Sequence, residues 1–263
     1  MIDVHTHLND EKLFAISEQI VAKLVQNGIS KVIVPSCDKM MNTHTLQLID
    51  AYPNVFGALG IHPSNIADFD FETSALIKSN CQNPKIVAVG EIGLDNHYPN
   101  SDLKAQAQVF VEQLKLAKQC NLPVILHLRD AWDEFFEVLN NFGDLFCNGV
   151  DVHCFDGDKQ IAKRLLDAGF FVSLTALSVE NKPKLKEMIN YLPLDRIMVE
   201  TDSPYLLPRK FRHQQEFNTP NNVWYVAECV AEYKNISLDT VEECTTNNAY
   251  RLFKKLGEYD AKR

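Results

Sequence analysis

Short apolar, β-branched runs alternate with helical patterns from one end of the chain to the other. The runs are IDVHTHL (2–8), KVIVPSC (31–37), VFGALGIH (55–62), IVAVGEIGL (86–94), PVILHL (123–128), GVDVHCF (149–155), FFVSLTAL (170–177) and RIMVETD (196–202). Their length and β-branched content predict buried strands. Amphipathic stretches lie between them, clearest over 102–120. There Leu103, Ala107, Phe110, Leu114 and Ala117 recur at three- and four-residue steps behind a predicted Ser101 N-cap. Two more helices are predicted at 221–235 and 238–255, packing outside or under the rest. Eight strand–helix units in 263 residues predict an α/β fold, a closed parallel (β/α)8 barrel with additional C-terminal helices, ahead of an open doubly wound sheet. With no Ser/Gly-rich or Pro-rich linker and no block of like charge, the chain reads as one domain over 1–263.

A barrel of this kind concentrates its chemistry at the C-terminal ends of its strands. Ligand-type residues fall there repeatedly: His5 and His7 in the first run, His62 in the third, Glu91 in the fourth, His127 in the fifth, His153 in the sixth and Asp202 in the eighth. Period-two geometry points His5 and His7 to one face. Asp3 shares that face one layer deeper, which predicts a buried partner for an imidazole rather than a ligand. Cys154 directly follows His153 and is expected to face away from it.

Charge and cysteine content narrow the possibilities. The formal net charge of -9 argues against a long basic groove for duplex DNA, so any nucleic acid is expected to be held locally. Seven cysteines without a C-x-x-C pair suit scattered reduced thiols, read as buried filler. The N-terminus lacks a basic region followed by an apolar run, and no apolar stretch approaches membrane-spanning length, so a cytosolic protein without membrane contact is expected.

Four histidines and two carboxylates exceed what one tetrahedral cation takes from a protein while keeping a position open for water. Two divalent ions fit better. They need a ligand that reaches both, and Glu91, between the His5/His7 strand and the His127/His153 strands, is the expected bridge. Asp202 then completes the first site and can act as general base toward a water. The fourth strand and its exit, IVAVGEIGLDNHY, contain no lysine, so a carbamylated-lysine bridge is excluded there.

As an ordered set, DVHTHL, GALGIHP, VAVGEIGLD, PVILHLRDA, VDVHCFDG, MVETDSPYLLP and NNAYRLF resemble the TatD family of metal-dependent deoxyribonucleases, from residue 2 to about 253. The resemblance implies a TIM barrel, two divalent metal ions (zinc, magnesium or manganese) and phosphodiester hydrolysis, typically removal of nucleotides from a DNA 3' end. It gives His5, His7, Glu91 and Asp202 to one ion, and Glu91, His127 and His153 to the other. It places His62 and Arg129 near the substrate phosphate; the alternative for Arg129 is a pair with Asp130 or a helix end. Glu200, Ser203 and Tyr205 surround Asp202 and are expected to fix it.

Two departures from the family pattern stand out. Asn96 and His97 precede Tyr98 where relatives often carry paired aromatics. In the loop RKFRHQQEFNTP, Arg209, Lys210, Arg212 and His213 are either a phosphate-gathering patch or a solvated charge run. The favoured mechanism has paired cations lowering the pKa of a bridging water to about 7, with Asp202 orienting or deprotonating it. The nucleic acid substrate is expected to be single-stranded DNA or short ends, handled by a monomer. The rival reading is a metallohydrolase of the same superfamily that cleaves a C–N or carboxylic ester bond. A third is a metal-binding scaffold that works through a partner.

Overall fold

In the computed structural model, residues 1–180 and 183–257 are described; 181, 182 and 258–263 of the predicted 1–263 domain lie outside the described residues. Eight parallel strands follow one another in order around a single sheet. They are β1 (Ile2–Asp3), β2 (Lys31–Pro35), β3 (Val55–Leu59), β4 (Ile86–Asp95), β5 (Val124–Arg129), β6 (Val150–Val152), β7 (Phe171–Leu174) and β8 (Ile197–Val199). The Val4 amide donates to the Val199 carbonyl at 3.3 Å, and past the strand ends Asp202 N donates to His5 O and His7 N to Ser203 O. These bonds bring the eighth strand to the first, giving the expected barrel.

Helices fill the connections: α1 (Glu11–Phe14), α2 (Ser17–Leu24), α3 (Lys39–Ala51), α4 (Phe71–Asn80), α5 (Leu103–Cys120), α6 (Trp132–Phe142), α7 (Lys159–Asp167), α8 (Ala176–Val179), α9 (Pro183–Tyr191), α10 (Val223–Lys234) and α11 (Leu238–Leu252). The cap of α5 differs from expectation. Asp102 accepts from the Ala105 amide at 3.0 Å, while the Ser101 hydroxyl turns back to the Tyr98 carbonyl. A carboxylate one residue nearer the helix outcompetes the hydroxyl for the free amides.

Alternation along the strands sorts the core into two layers. Val124, Leu126, Val150, Val152, Val172, Leu174, Ile197 and Val199 join the larger apolar cluster beneath the helices. Ile125, Phe171 and Met198 belong to a smaller cluster with Ala249, Leu252, Phe253 and Leu256. The end of α11 therefore packs under the barrel and closes its floor. Inner positions change character with height on each strand. Apolar Ile125, Phe171 and Met198 lie deep; His127, Ser173 and Glu200 follow two residues later, with Asp202 beyond Glu200 at the mouth.

Most strands are shorter than the apolar runs that predicted them. On β1, β6 and β8 the ladder ends before the ligand residues, with a bend at Val4 and positive φ at Cys154 (48°) and Asp202 (52°). β4 and β5 are exceptions, staying paired through Glu91 and His127 as far as Asp95 and Arg129, with a register shift between Val89 and Ile92. Gly93 in this stretch has φ of 148°, and a Cβ added there would lie 2.0 Å from the His127 carbonyl oxygen. Gly93→Ala is therefore expected to cost about 3 kcal/mol of stability. Chemical denaturation checks this, and a variant as stable as the parent would contradict the close approach of β4 and β5.

Candidate metal centre

Glu91 stands on the irregular part of β4, where the register shift turns its carboxylate into the barrel mouth; it is 2% exposed. Its two oxygens face two different groups. Oε2 lies 3.2 Å from His5 Nε2 and 3.6 Å from His7 Nε2. Oε1 lies 2.8 Å from His127 Nδ1 and 2.9 Å from His153 Nε2. Asp202 closes the first group, with Oδ1 3.2 Å from His7 Nε2 and 3.7 Å from His5 Nε2. The two histidine pairs approach nitrogen to nitrogen at 3.2 Å each.

These spacings fit divalent cations. Ligands about 2.0–2.1 Å from a tetrahedral ion lie roughly 3.3 Å from one another, and the separations above bracket that value. Imidazole nitrogens aimed at each other and at carboxylates also make poor mutual partners unless a proton or a cation lies between them. Each half of the centre presents at least three such donor atoms, as His5, His7 and Glu91, and as Glu91, His127 and His153.

Electrostatics tell the same story in protons. Burial pushes the Glu91 carboxyl toward its neutral form, but the His153 and His5 charges and the bonds from His127 and His153 overcome it and hold its pKa well below the usual range. Burial likewise opposes charge on His127 and His153. Bonds to Asp95 and Glu91 nonetheless raise His127, and the Glu91 charge raises His153 well above its ordinary value. His7 is raised by Asp202 despite burial, and Asp202 is lowered by His7 despite its own burial. His5 is lowered, chiefly by burial and then by the His153 charge. The carboxylates of the cage thus favour the protonated forms of His7, His127 and His153, while burial favours neutral His5.

The rear nitrogens of His7 and His127 are held by the fold. His7 Nδ1 faces the Pro35 carbonyl at 3.2 Å, which sets Nδ1–H and bares Nε2 toward the centre. His127 presents Nδ1 to the centre and Nε2 to Asp95 Oδ2 at 3.0 Å. Asp95 was not among the residues expected from sequence. Its signal was its position four residues beyond Glu91 on the same strand. Cys37 was read as filler, yet it lines the cleft with Sγ 3.6 Å from Glu91 Oε2. It shares the inward parity of Ile33, and burial followed by the Glu91 charge pushes its thiol well up. Cys147 also departs from the filler reading, being exposed in the turn before β6. Cys154 does face away, with Sγ against Thr175 Oγ1 at 3.2 Å.

Other expected supports do something different from what the sequence suggested. Asp3 touches no imidazole: its carboxylate accepts from Thr201 N and Oγ1 and from the His5 backbone amide. The chain bends at Val4, so Asp3 ties the β1 and β8 ends together. Ser203 bonds Thr6 Oγ1 at 2.6 Å, and the Tyr205 hydroxyl donates to Asp10 Oδ2 at 2.8 Å. Glu200 lies beside His153 and His5. None of the three grips the Asp202 carboxylate, because the positive φ at Asp202 turns it away from its sequence neighbours.

Above the centre opens a cleft of about 660 Å³ whose lining includes His62, Arg129, Tyr98 and Tyr205. His62 Nδ1 accepts from the Ser64 amide at 3.1 Å, so its proton sits on Nε2, 3.7 Å from Glu91 Oε1. Burial, then the neighbouring His127 charge, lowers its pKa to about 3, and the ring is a neutral donor. Among the described residues the alternative pairing of Arg129 is not found. Asp130 binds His97 Nδ1 at 3.0 Å, and the Arg129 guanidinium stands 6.0 Å from the Tyr98 ring. The basic loop does not line the cleft: Arg209 is held by Glu180, Lys210 stands over the Phe211 and Tyr225 rings, and Arg212 Nε reaches Leu207 O.

An eight-stranded parallel barrel with histidine and carboxylate donors gathered at its C-terminal mouth defines a metal-dependent hydrolase. The chain matches the family model described as TatD related DNase over residues 2–254, and it belongs to that family. It is 34% identical over 255 residues to YabD of Bacillus subtilis, named an uncharacterized metal-dependent hydrolase, covering 97% of this chain and 99% of that protein. It is 29% identical over 259 residues to a protein of Erwinia billingiae named 3'-5' ssDNA/RNA exonuclease TatD, covering 97% and 99%. The crystal structure of YJJV, a TatD homolog from Escherichia coli K12, superposes with a TM-score of 0.90 at 29% identity, covering 97% of this chain and 98% of that one. Among the described residues, no helix is long and apolar enough to cross a membrane.

Proposed function

We propose that this chain hydrolyses phosphodiester bonds at the 3' ends of single-stranded or short DNA, using two divalent cations (zinc, magnesium or manganese) that share Glu91. The observation that carries this reading is the division of labour between the Glu91 oxygens, one facing His5 and His7, the other facing His127 and His153. The Erwinia billingiae relative, by its name, acts on single-stranded DNA and RNA. Seven free cysteines suit a reducing compartment, and we place the protein in the cytosol.

Bound cations supply Lewis-acid activation of water and neutralise phosphoryl oxygens. The protein's own groups do the rest. Asp202, ionised beside His7, orients the attacking water and accepts its proton. His62 donates Nε2–H, and Arg129 its guanidinium, to the non-bridging phosphate oxygens. The negative surface repels long duplexes, and the cleft accepts an end.

Turnover of 5'-labelled single-stranded oligonucleotides with added Zn²⁺, Mg²⁺ or Mn²⁺ tests this, alongside a panel of amides and carboxylic esters. Stepwise shortening from the 3' end is expected; hydrolysis confined to the carbonyl substrates would overturn the nuclease reading. His62→Ala is expected to lower kcat/KM about 10–100-fold through loss of a hydrogen bond to a charged phosphate. The parent's full kcat/KM in that variant would remove His62 from substrate binding.

A further inference from the structure

Glu200 is completely buried at the end of β8, between the two halves of the centre. Its backbone amide is tied to the Leu174 carbonyl at 3.1 Å. Each carboxylate oxygen has one firm anchor: Oε1 accepts from the Cys154 amide at 2.7 Å and Oε2 from the Ser173 hydroxyl at 2.6 Å. Each also faces the rear of one imidazole. His153 Nδ1 lies 3.4 Å from Oε1, and His5 Nδ1 lies 3.9 Å from Oε2. Both Nδ1 atoms are buried, and neither forms a hydrogen bond with any described residue.

The two rings are stacked, with centroids 4.0 Å apart and planes 15° from parallel. Their rear nitrogens therefore stand side by side against one carboxylate, while their Nε2 atoms point to opposite oxygens of Glu91. His7 and His127 have their own rear partners, Pro35 O and Asp95. For His5 and His153 the acceptor at the rear is the same group.

We propose that Glu200 is a positioning residue shared by both cation sites, one carboxylate setting the tautomer of one imidazole in each. An Nδ1–H directed at Glu200 leaves the Nε2 lone pair free to bind a cation; the opposite tautomer puts a proton where the cation must sit. This rests on the two-cation reading above.

Replacement by glutamine breaks the symmetry in a defined direction. The Cys154 amide demands an acceptor, so the amide oxygen of Glu200→Gln takes the Oε1 place and continues to serve His153. The NH₂ group then faces Ser173 and His5. Ser173 can turn its hydroxyl to Asp151 Oδ2, already 3.3 Å away, but His5 Nδ1 now meets a donor and becomes an acceptor. Its proton moves to Nε2, and the His5/His7/Asp202 site is the one that fails.

Calorimetric titration of the metal-free full-length chain with Zn²⁺ alone tests this. The wild type is expected to bind two ions. Glu200→Gln is expected to keep the His127/His153 ion at wild-type affinity and to weaken the other about 10–100-fold. Long-range ¹H–¹⁵N spectra of the zinc-loaded wild type supply a readout that needs no variant: both His5 and His153 should be Nδ1–H tautomers. A proton on Nε2 of either ring overturns the proposal, as does a variant that binds both ions like the wild type or loses both equally. A wild type that takes up a single Zn²⁺ overturns the two-cation reading as well, so the two failures are told apart in the parent protein.

Discussion

Glu91→Gln is expected to reduce hydrolysis by at least about 10³-fold, the largest effect of any conservative substitution in the chain. One Glu91 oxygen lies 3.2 Å from His5 and the other 2.8 Å from His127. An amide keeps one acceptor and puts two N–H donors where the second was, so one half of the centre loses its shared ligand and meets like-signed dipoles. The loss also removes the negative charge that holds His5, His127 and His153 together. The effect should therefore appear in kcat and in zinc stoichiometry at once. Activity within tenfold of the parent under saturating metal would remove Glu91 from the bridging position. Glu200→Gln differs in keeping one ion at full affinity.

Metal removal should change stability as strongly as activity, with a dependence on pH that follows from the cage. His127 and His153 have folded pKa values above their ordinary 6.5. Their contribution is complete below that value and fades as pH rises through the folded ones. Glu91 is depressed below its ordinary 4.5, so its contribution is complete above that value and is lost as pH falls through the folded one. His5 and His62, both lowered, work against the imidazolium gain below 6.5 without removing the carboxylate limb.

The cage's own contribution in the metal-free protein is thus expected to be largest between about pH 4.5 and 6.5 and to fade on the alkaline side, a loss to which the buried Asp3 and Asp151 carboxyls, raised well above their ordinary value, add. Cations reverse the alkaline loss, because they bind the deprotonated imidazoles and displace their protons. At a hundredfold excess over Kd each ion adds about 2.7 kcal/mol, roughly 5–10 °C in Tm for a chain of this size. At one fixed Zn²⁺ concentration the increment should grow from pH 5.5 to pH 8 as Kd falls, and thermal melts with and without Zn²⁺ at both values check it. An increment independent of pH would mean that no imidazole gives up a proton to the metal.

Much of this protein is legible along the chain. Eight apolar runs separated by amphipathic stretches demand a parallel sheet covered by helices, and the observed order β1 to β8 is the one that sequence order implies. The histidines and carboxylates at the ends of those runs, Glu91 and His153 among them, do meet at one mouth. That much depends only on periodicity and on which end of a strand a residue occupies, both local properties.

Depth and partnership along the barrel axis are not local. Asp3, expected behind an imidazole, ties β1 to β8 instead, and Glu200, expected to fix Asp202, lies behind two imidazoles. Asp95 lies one residue past the predicted fourth run and holds His127, since β4 runs past its apolar stretch beside β5 with a shifted register. The sequence by itself determined that His5, His7, His62, Glu91, His127, His153 and Asp202 lie toward one mouth, because alternation and strand polarity are properties of single segments. Only the tertiary structure decided which carboxylate serves which imidazole, because that depends on stagger between neighbouring strands and on bends at Val4 and Asp202, quantities that no one segment encodes.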